Sequence, residues 1–228
     1  MNDTYNTLTR LLDVVIALNA LFFLSPILAL VACILRFTGE REVFYLQERV
    51  GRRRQTFHVI KFATMLKNSP NVGAGAITLK NDPRVLPIGA LLRKTKINEL
   101  PQLINILMGD MSIVGPRPLM IKQFGFYNEQ AQELISNMRP GLTGLGSIAF
   151  RDEEQLFDSG HDPDVVYRNK IAPVKAILET WFYNNRSVLL YFKLIFLTVV
   201  AILCPNRNVL KFLDNDTKER IQNVLQKP

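Results

Sequence analysis

The sequence predicts an α+β protein that is predominantly helical, on three observations: an apolar run from Leu11 to Leu35 broken by Ser25-Pro26, an alternating segment from Glu42 to Phe62 around Gly51, and helical apolar spacing through most of the remainder. The expected architecture is an N-terminal re-entrant membrane helix-break-helix, a small β-hairpin or sheet, and amphipathic interfacial helices. The 228 residues leave room for one domain of ordinary size plus membrane-associating elements. The expected division is residues 1–37 as the membrane element, 38–185 as a cytosolic domain, and 186–228 as an interfacial helix with a polar tail.

Arg10 and Arg36 bracket the first run, which lacks a signal peptide's small-residue cleavage pattern and is too long for a typical signal core. As one helix its roughly 25 residues would cover about 38 Å, against a hydrocarbon core of about 30 Å, so a simple span has the required length. Pro26 deletes a backbone hydrogen bond near the middle and disfavours a regular helix there, while Ser25 and Asn19 are polar groups that need partners at that depth. Basic residues flank both ends: Arg10 before the run, and Arg36, Arg41, Arg49 and Arg52 to Arg54 after it. The positive-inside tendency therefore favours both ends on the cytoplasmic face, which a re-entrant element satisfies and a plain transmembrane anchor does not. Asp13, three residues after Arg10, can pair with it near the headgroups.

The segment Glu42 to Phe62 reads as a β-hairpin with a basic tip at Arg52 to Arg54, either a solvated turn or a contact for acidic headgroups. Asn68 to Ala76, rich in Gly, Asn and Pro, predicts a loop. Asp82-Pro83 predicts a helix start leading into RVLPIGALLRKT, shortened or distorted by Pro87. Asn98 is the expected N-cap of a helix over ELPQLINILMG, with Gly109 as its C-terminal cap. Downstream lie a helix around Lys122 to Asn137, the Gly-rich turn RPGLTGLG, an acidic loop, and a helix from about Asp164 to Tyr183 with a bend at Pro173. The apolar stretch Ser187 to Leu203, flanked by Trp181, Tyr183 and Arg186, suits an interfacial helix, with a second span as the alternative. The polar tail after Asn206 is either a surface helix or partly disordered.

The net charge of +8 suits an anionic partner: nucleic acid, acidic lipid headgroups or a nucleotide-sugar. Nucleic acid ranks last, because the Arg52 to Arg54 tip has no aromatic stacking positions beside it. Cys33 and Cys204 sit in apolar runs and read as small buried hydrophobes, not as a disulfide or metal site. His58 and His161 are isolated, so no zinc is assigned.

The chemistry concentrates between Arg93 and Pro118, in RKTKINELPQLINILMGDMSIVGPRP. Asn98 and Glu99 stand at a predicted helix start, where backbone N–H groups and the helix dipole favour an anion. Glu99 could serve as base, metal ligand or nucleophile, or simply as a dipole partner. Arg117, stiffened between Pro116 and Pro118, offers a planar fork that matches phosphate, though a surface arginine in a Pro-rich turn is equally ordinary. Asp110 is a candidate second carboxylate. Arg93, Lys61 and Arg151 are candidate phosphate contacts. No Walker A, dinucleotide-binding glycine motif or hydrolase triad occurs.

Taken together, TRLLD, the Ser-Pro break, VFYLQERVG, FHVIKFATM, NDPRVLPIGALLRKTKINELPQLINILMGDMSIVGPRPL and RPGLTGLG resemble the bacterial sugar transferase family, the monotopic phosphoglycosyl transferases, from about Thr9 to Leu203. The resemblance implies an enzyme of the bacterial inner (cytoplasmic) membrane, its catalytic domain facing the cytoplasm. It would transfer a sugar-1-phosphate from a nucleotide diphosphate sugar, usually a UDP-sugar, to polyprenol phosphate (undecaprenyl phosphate), releasing UMP. It also implies Mg²⁺, with Asn98 and Glu99 as candidate ligands, and a covalent phospho-sugar intermediate. A homodimer is compatible with it. By position the family's Asp-Glu catalytic pair falls on Asn98-Glu99, its phosphate-contacting arginine on Arg117, the arginine after the Gly-rich turn on Arg151, and the lysine of its usual KFRTM motif on Lys61, with Ala63 in place of that motif's arginine. Asn98 departs from the family's aspartate nucleophile. That leaves a substituted, trapped enzyme, a variant in which Glu99 or another carboxylate attacks, or a chain that binds without turnover, a membrane-associated scaffold.

Overall fold

A computed structural model describes residues 2–72, 78, 82–157, 162–204, 211 and 213–225. Helix α1 (Asn2–Phe37) takes up the first apolar run with Pro26 inside it. The helix-break-helix expectation is modified here, because the helix continues through Pro26. The N–H that proline lacks would have bonded the Phe22 carbonyl, and the Ser25 hydroxyl donates to that same oxygen at 2.8 Å. Asn19 likewise donates to Val15 O at 2.7 Å, so both polar groups are satisfied along the helix.

One face of α1 lies on the body of the protein along its length. Arg10 donates from Nη1 and Nη2 to Ile106 O and Leu107 O (2.5 and 3.0 Å), and Asp13 Oδ1 accepts from the Ile113 N–H and the Tyr191 hydroxyl (2.8 and 2.9 Å). Asp13 therefore does not depend on the nearby Arg10 for its partners. Ala17 enters the main core, and Val31 and Leu35 pack against Phe62 and Leu92. The opposite face exposes Leu11, Val15, Leu18 and Phe22 at spacings of three and four residues, with Leu30 about two turns further on, an apolar stripe turned away from the body.

Strands β1 (Phe44–Val50) and β2 (Thr56–Phe62) form the expected hairpin, pairing Tyr45 with Lys61 and Arg49 with Phe57. Its basic tip is a 3₁₀ turn, Arg52–Arg54. Helix α2 (Pro87–Lys94) starts four residues later than Asp82-Pro83 suggested. Asp82 instead accepts two hydrogen bonds from the Arg84 guanidinium (2.8 and 2.6 Å) and one from its backbone N–H (3.0 Å), and residues 84–86 bond to 64–66 as extended chain (Leu66 N–H to Arg84 O, 2.9 Å; Leu86 N–H to Thr64 O, 3.0 Å). Pro87 then opens the helix at its first turn, where its missing N–H costs nothing.

Asn98 is not the cap of the next helix. Ile97–Glu99 form a 3₁₀ turn and helix α3 (Gln102–Met108) begins after Pro101. Gly109 ends it at φ +96°, as expected of a left-handed C-cap. Asn105 joins α3 to the hairpin, donating to His58 O and accepting from the Ile60 N–H (2.8 and 2.9 Å).

Strands β3 (Ser112–Val114) and β4 (Gly141–Thr143) pair in parallel, so the Gly-rich turn contributes a strand. Their backbones close so tightly that a Cβ on Gly144 would lie 2.0 Å from Gly115 O. The helix expected around 122–137 is two, α4 (Ile121–Phe124) and α5 (Glu129–Ser136). Asn128 restarts the chain by accepting the Ala131 N–H at 2.8 Å. After α6 (Leu145–Ala149) come α7 (Pro163–Val166), a π-helical turn Tyr167–Ile171, and α8 (Ala172–Asn185). The helix expected from about Asp164 to Tyr183 is thus divided by the π turn, and Pro173 falls in the first turn of α8.

Helix α9 (Val188–Leu203) is capped by Ser187, whose Oγ accepts the Leu190 N–H. At 16 residues it covers about 24 Å, short of a membrane crossing. Its outer face exposes Leu189, Phe192, Phe196 and Leu203 while Tyr191 and Leu194 are fully buried. Helix α10 (Asn215–Leu225) occupies the polar tail. Cys33 and Cys204 are free and exposed, which corrects the expectation that they are buried. Cys33 lies in α1 and Cys204 directly follows α9, the two helices whose apolar side chains turn outward.

Candidate active site

The hairpin, the 97–99 turn, the Gly115–Pro118 turn and the segment 142–153 surround a cavity of about 1340 Å³, closed on another side by α1 and α9. Lys61, Arg93, Asn98, Glu99, Arg117 and Arg151 all line it. Ser25 and Pro26 do not. Neither does Asp110, which reaches only the Asn105 amide at 3.5 Å. His58 is an exposed strand residue, and His161 lies outside the described residues.

Each charged group is delivered by a different local structure. Period-two alternation places Tyr45, Gln47 and Arg49 of β1 on the face that Lys61 of β2 shares. Arg49 reaches the Gly-Pro-Arg-Pro turn, donating to Pro118 O at 3.2 Å, and Val50 N–H bonds Leu119 O at 2.8 Å. The left-handed Lys96 (φ +60°) turns the chain from α2 into the 97–99 turn. Arg117 then grips Glu99 with two hydrogen bonds, Nη2 to Oε1 at 2.7 Å and Nη1 to Oε2 at 3.4 Å.

The electrostatics show a site short of negative charge. Burial works to raise the Glu99 carboxyl, but Arg117 and Lys61 beside it together hold it well below the usual carboxylate range. Burial, with Arg49 nearby, pushes the Lys61 ammonium well below its ordinary value. Burial and Arg117 bring Arg49 down to about 10. Glu99 in turn raises Arg117. Crowded, desolvated cations of this kind favour an incoming polyanion that supplies the missing charge. Asn98 is 7% exposed, and its Oδ1 has no hydrogen-bond partner. An unpartnered buried amide oxygen costs free energy unless a ligand or ion completes it.

Arg151 lines the cavity, but its guanidinium donates to Ala201 O near the end of α9, and its Nε has no partner. Sequence reasoning missed Arg49, Glu153, Tyr167 and Lys175, which also line the cavity. The hairpin register would have found Arg49, since it shares a face with Lys61. Glu153, Tyr167 and Lys175 arrive from distant segments with no local signature.

Among the described residues no group of three or more His, Cys, Asp or Glu side chains could hold a metal. Both Glu99 oxygens face Arg117, which leaves Asn98 Oδ1 as the open protein donor. Mg²⁺ characteristically takes only one or two protein ligands, together with substrate phosphates and water. The residues therefore fit an ion carried largely by a phosphorylated substrate, not one caged by protein.

Residues 4–205 match the model of the bacterial sugar transferase family, and the chain belongs to that family. It is a phosphoglycosyl transferase by class. The exopolysaccharide production protein ExoY of Sinorhizobium fredii (strain NBRC 101917 / NGR234) is 36% identical over 212 residues, 87% of this chain and 86% of that protein. The undecaprenyl-phosphate glucose phosphotransferase of Komagataeibacter xylinus is 32% identical over 195 residues, 83% of this chain and 35% of that protein. An undecaprenyl-phosphate N-acetylgalactosaminephosphotransferase of Aeromonas hydrophila is 34% identical over 149 residues, 63% of this chain and 34% of its own length.

Proposed function

We propose that this chain transfers a sugar-1-phosphate from a nucleotide diphosphate sugar, a UDP-sugar by preference, to undecaprenyl phosphate at the cytoplasmic face of the bacterial inner membrane. The observation that carries the reading is the two-sided cavity. Arg49, Lys61, Asn98, Glu99 and Arg117 line one part, and Ile16, Ala20 and Leu24 of α1 with Ile195, Val199 and Ile202 of α9 line another. A water-soluble diphosphate suits the first and a prenyl chain the second. Packing of α1 on the same body from Arg10 to Leu35 supports a re-entrant or in-plane helix with both ends on one side of the membrane.

In this reading Arg117 and Lys61 bind the donor diphosphate and spread its charge in a site of low dielectric. The bond between the β-phosphorus and the bridging oxygen breaks, and UMP leaves with that oxygen. An acceptor phosphate oxygen ends bonded to the β-phosphorus, giving polyprenol-diphosphate-sugar. Mg²⁺, held by Asn98 Oδ1 and the donor phosphates, would neutralise charge on the leaving nucleotide. Glu99, ionised and oriented by Arg117, is the one carboxylate beside position 98. Asn98 itself carries no full negative charge, so attack through it is slow.

Membranes bearing the chain, given Mg²⁺, undecaprenyl phosphate and a panel of UDP-sugars, are expected to release UMP with at least one donor. A panel without release that stays silent after Asn98→Asp would refute the transfer reading. The unpartnered Asn98 amide favours one second reading, a variant that binds donor without turnover; release restored by Asn98→Asp would identify it.

A further inference from the structure

Helix α8 carries two buried ionisable groups one turn apart that the transfer reading does not use, Lys175 and Glu179, each 3% exposed. Lys175 Nζ pairs with Glu153 and lies 5.2 Å from both the Phe150 and Tyr167 ring centroids. Lys175, Glu153 and both rings line the cavity with Arg117, while Glu179 is not among the lining groups. The Glu179 carboxyl rests on α6. A Cβ at Gly146 would stand 2.5 Å from Oε1, so glycine is what admits it, and the Gly146 N–H donates to it. Oε2 is buried without a partner.

We propose that Glu179 is a positioning residue for the phosphate-binding face: standing behind Lys175, it sets how fully Lys175 neutralises Glu153 and hence how much positive charge Arg117 presents to the donor diphosphate. The proposal rests on the nucleotide-sugar reading above. A carboxylate with one N–H bond and one unpartnered oxygen is costly to ionise in a buried place, and burial, opposed by Lys175, pushes this carboxyl up to about 7. While it keeps its proton, Lys175 and Glu153 cancel, and Arg117, Arg49 and Lys61 face the donor. When the proton leaves to solvent, a second carboxylate competes for Lys175, and the charge of Glu153 acts on Arg117 less opposed.

The other ionisable groups around Glu179 are few. Tyr127 couples to it, itself held well above its ordinary range first by burial and then by Tyr167. Helix α6 brings no ionisable side chain. The charged groups of the π turn (Arg168, Lys170), of α5 (Glu129, Glu133) and of α10 (Asp216, Glu219, Arg220) are exposed, and Lys218 is half-buried.

The test is calorimetric binding of UDP-glucose, UDP-galactose and UDP-N-acetylgalactosamine to the full chain in detergent with Mg²⁺, from pH 5.5 to 8.5. These diphosphate diesters carry no group that titrates in that range. Wild-type affinity is expected to fall about tenfold as pH rises through about 7, the effect of one unit charge about 12 Å away at an effective dielectric near 20. Glu179→Gln keeps an oxygen for the Gly146 N–H and cannot ionise, so it is expected to bind at pH 8.5 as the wild type does at 5.5. The same pH course in both proteins overturns the proposal and leaves the donor reading standing. No binding by the wild type at any pH overturns both. If Glu179→Gln does not fold, the wild-type curve decides alone, and a flat one overturns the proposal.

Discussion

Arg117 and Glu99 form the contact that holds this site together, because a forked guanidinium and both oxygens of a buried carboxylate satisfy each other. Lysine at 117 keeps the charge but loses the fork, so Arg117→Lys is expected to lower donor affinity by about 10- to 100-fold, the loss of one charge-assisted hydrogen bond. The pair also sets a pH response. A carboxyl held below its unfolded value near 4.5 contributes stability that is full above that value and is lost as pH falls through the folded one. Arg117→Met leaves burial opposed chiefly by Lys61, so the Glu99 carboxyl is expected to rise and acid unfolding to begin at higher pH. Melting temperature followed from pH 3 to 6 checks the shift, and superimposable curves for the two proteins would contradict it. Asn98→Asp places a carboxylate where an amide oxygen now lacks a partner, among cations that favour its ionised form. Turnover in UMP-release assays is expected to rise by about 100-fold or more. The residues that stand out in the sequence, Lys61, Arg93, Asn98, Glu99, Arg117 and Arg151, do line one cavity. Lys175 and Glu179 were not legible, because a buried lysine and glutamate one turn apart read in sequence like any solvated helical pair.

At the scale of elements, local grammar succeeded where one signal dominated and failed where a tertiary contact outbid it. Alternation around Gly51 predicts the hairpin, and Gly109 predicts the end of α3. Asp82-Pro83 looks like a helix start, but the buried Asp82–Arg84 pair and the bonds to residues 64–66 keep that chain extended until Pro87. Asn98 looks like a cap, but the left-handed Lys96 inserts a 3₁₀ turn that aims residues 98 and 99 at the cavity instead. Ser25-Pro26 reads as a break because of the bond proline lacks, and the Ser25 hydroxyl replaces that bond within the helix. Helix α1 is anchored by Asp13, which accepts two hydrogen bonds from the body. Removing it with Asp13→Ala leaves the buried Ile113 N–H without a partner. The expected cost is about 2–4 kcal/mol, seen as a lower melting temperature in detergent. A melt indistinguishable from wild type would mean that α1 is held by its apolar face alone.

For the whole molecule, α1 and α9 each turn one set of apolar side chains into the cavity and another outward. Among the described residues one helix is long and apolar enough to cross a membrane, and it rests on the body from Arg10 to Leu35; in the proposed reading the body stays with it at the membrane surface. Cys33 and Cys204 are natural reporters of that arrangement. Both are expected to react with a membrane-permeant maleimide and to be shielded from a charged, impermeant one in sealed vesicles. The central claim is that one cavity receives a soluble diphosphate at one end and a prenyl chain at the other. Photo-crosslinking with a diazirine-bearing prenyl phosphate, followed by peptide mass spectrometry, tests it most directly. The account predicts adducts on the cavity wall at Ala20, Leu24, Val199 or Ile202, competed by unlabelled undecaprenyl phosphate. Adducts confined to the outer stripe at Phe22 and Phe196, unaffected by competitor, would contradict it.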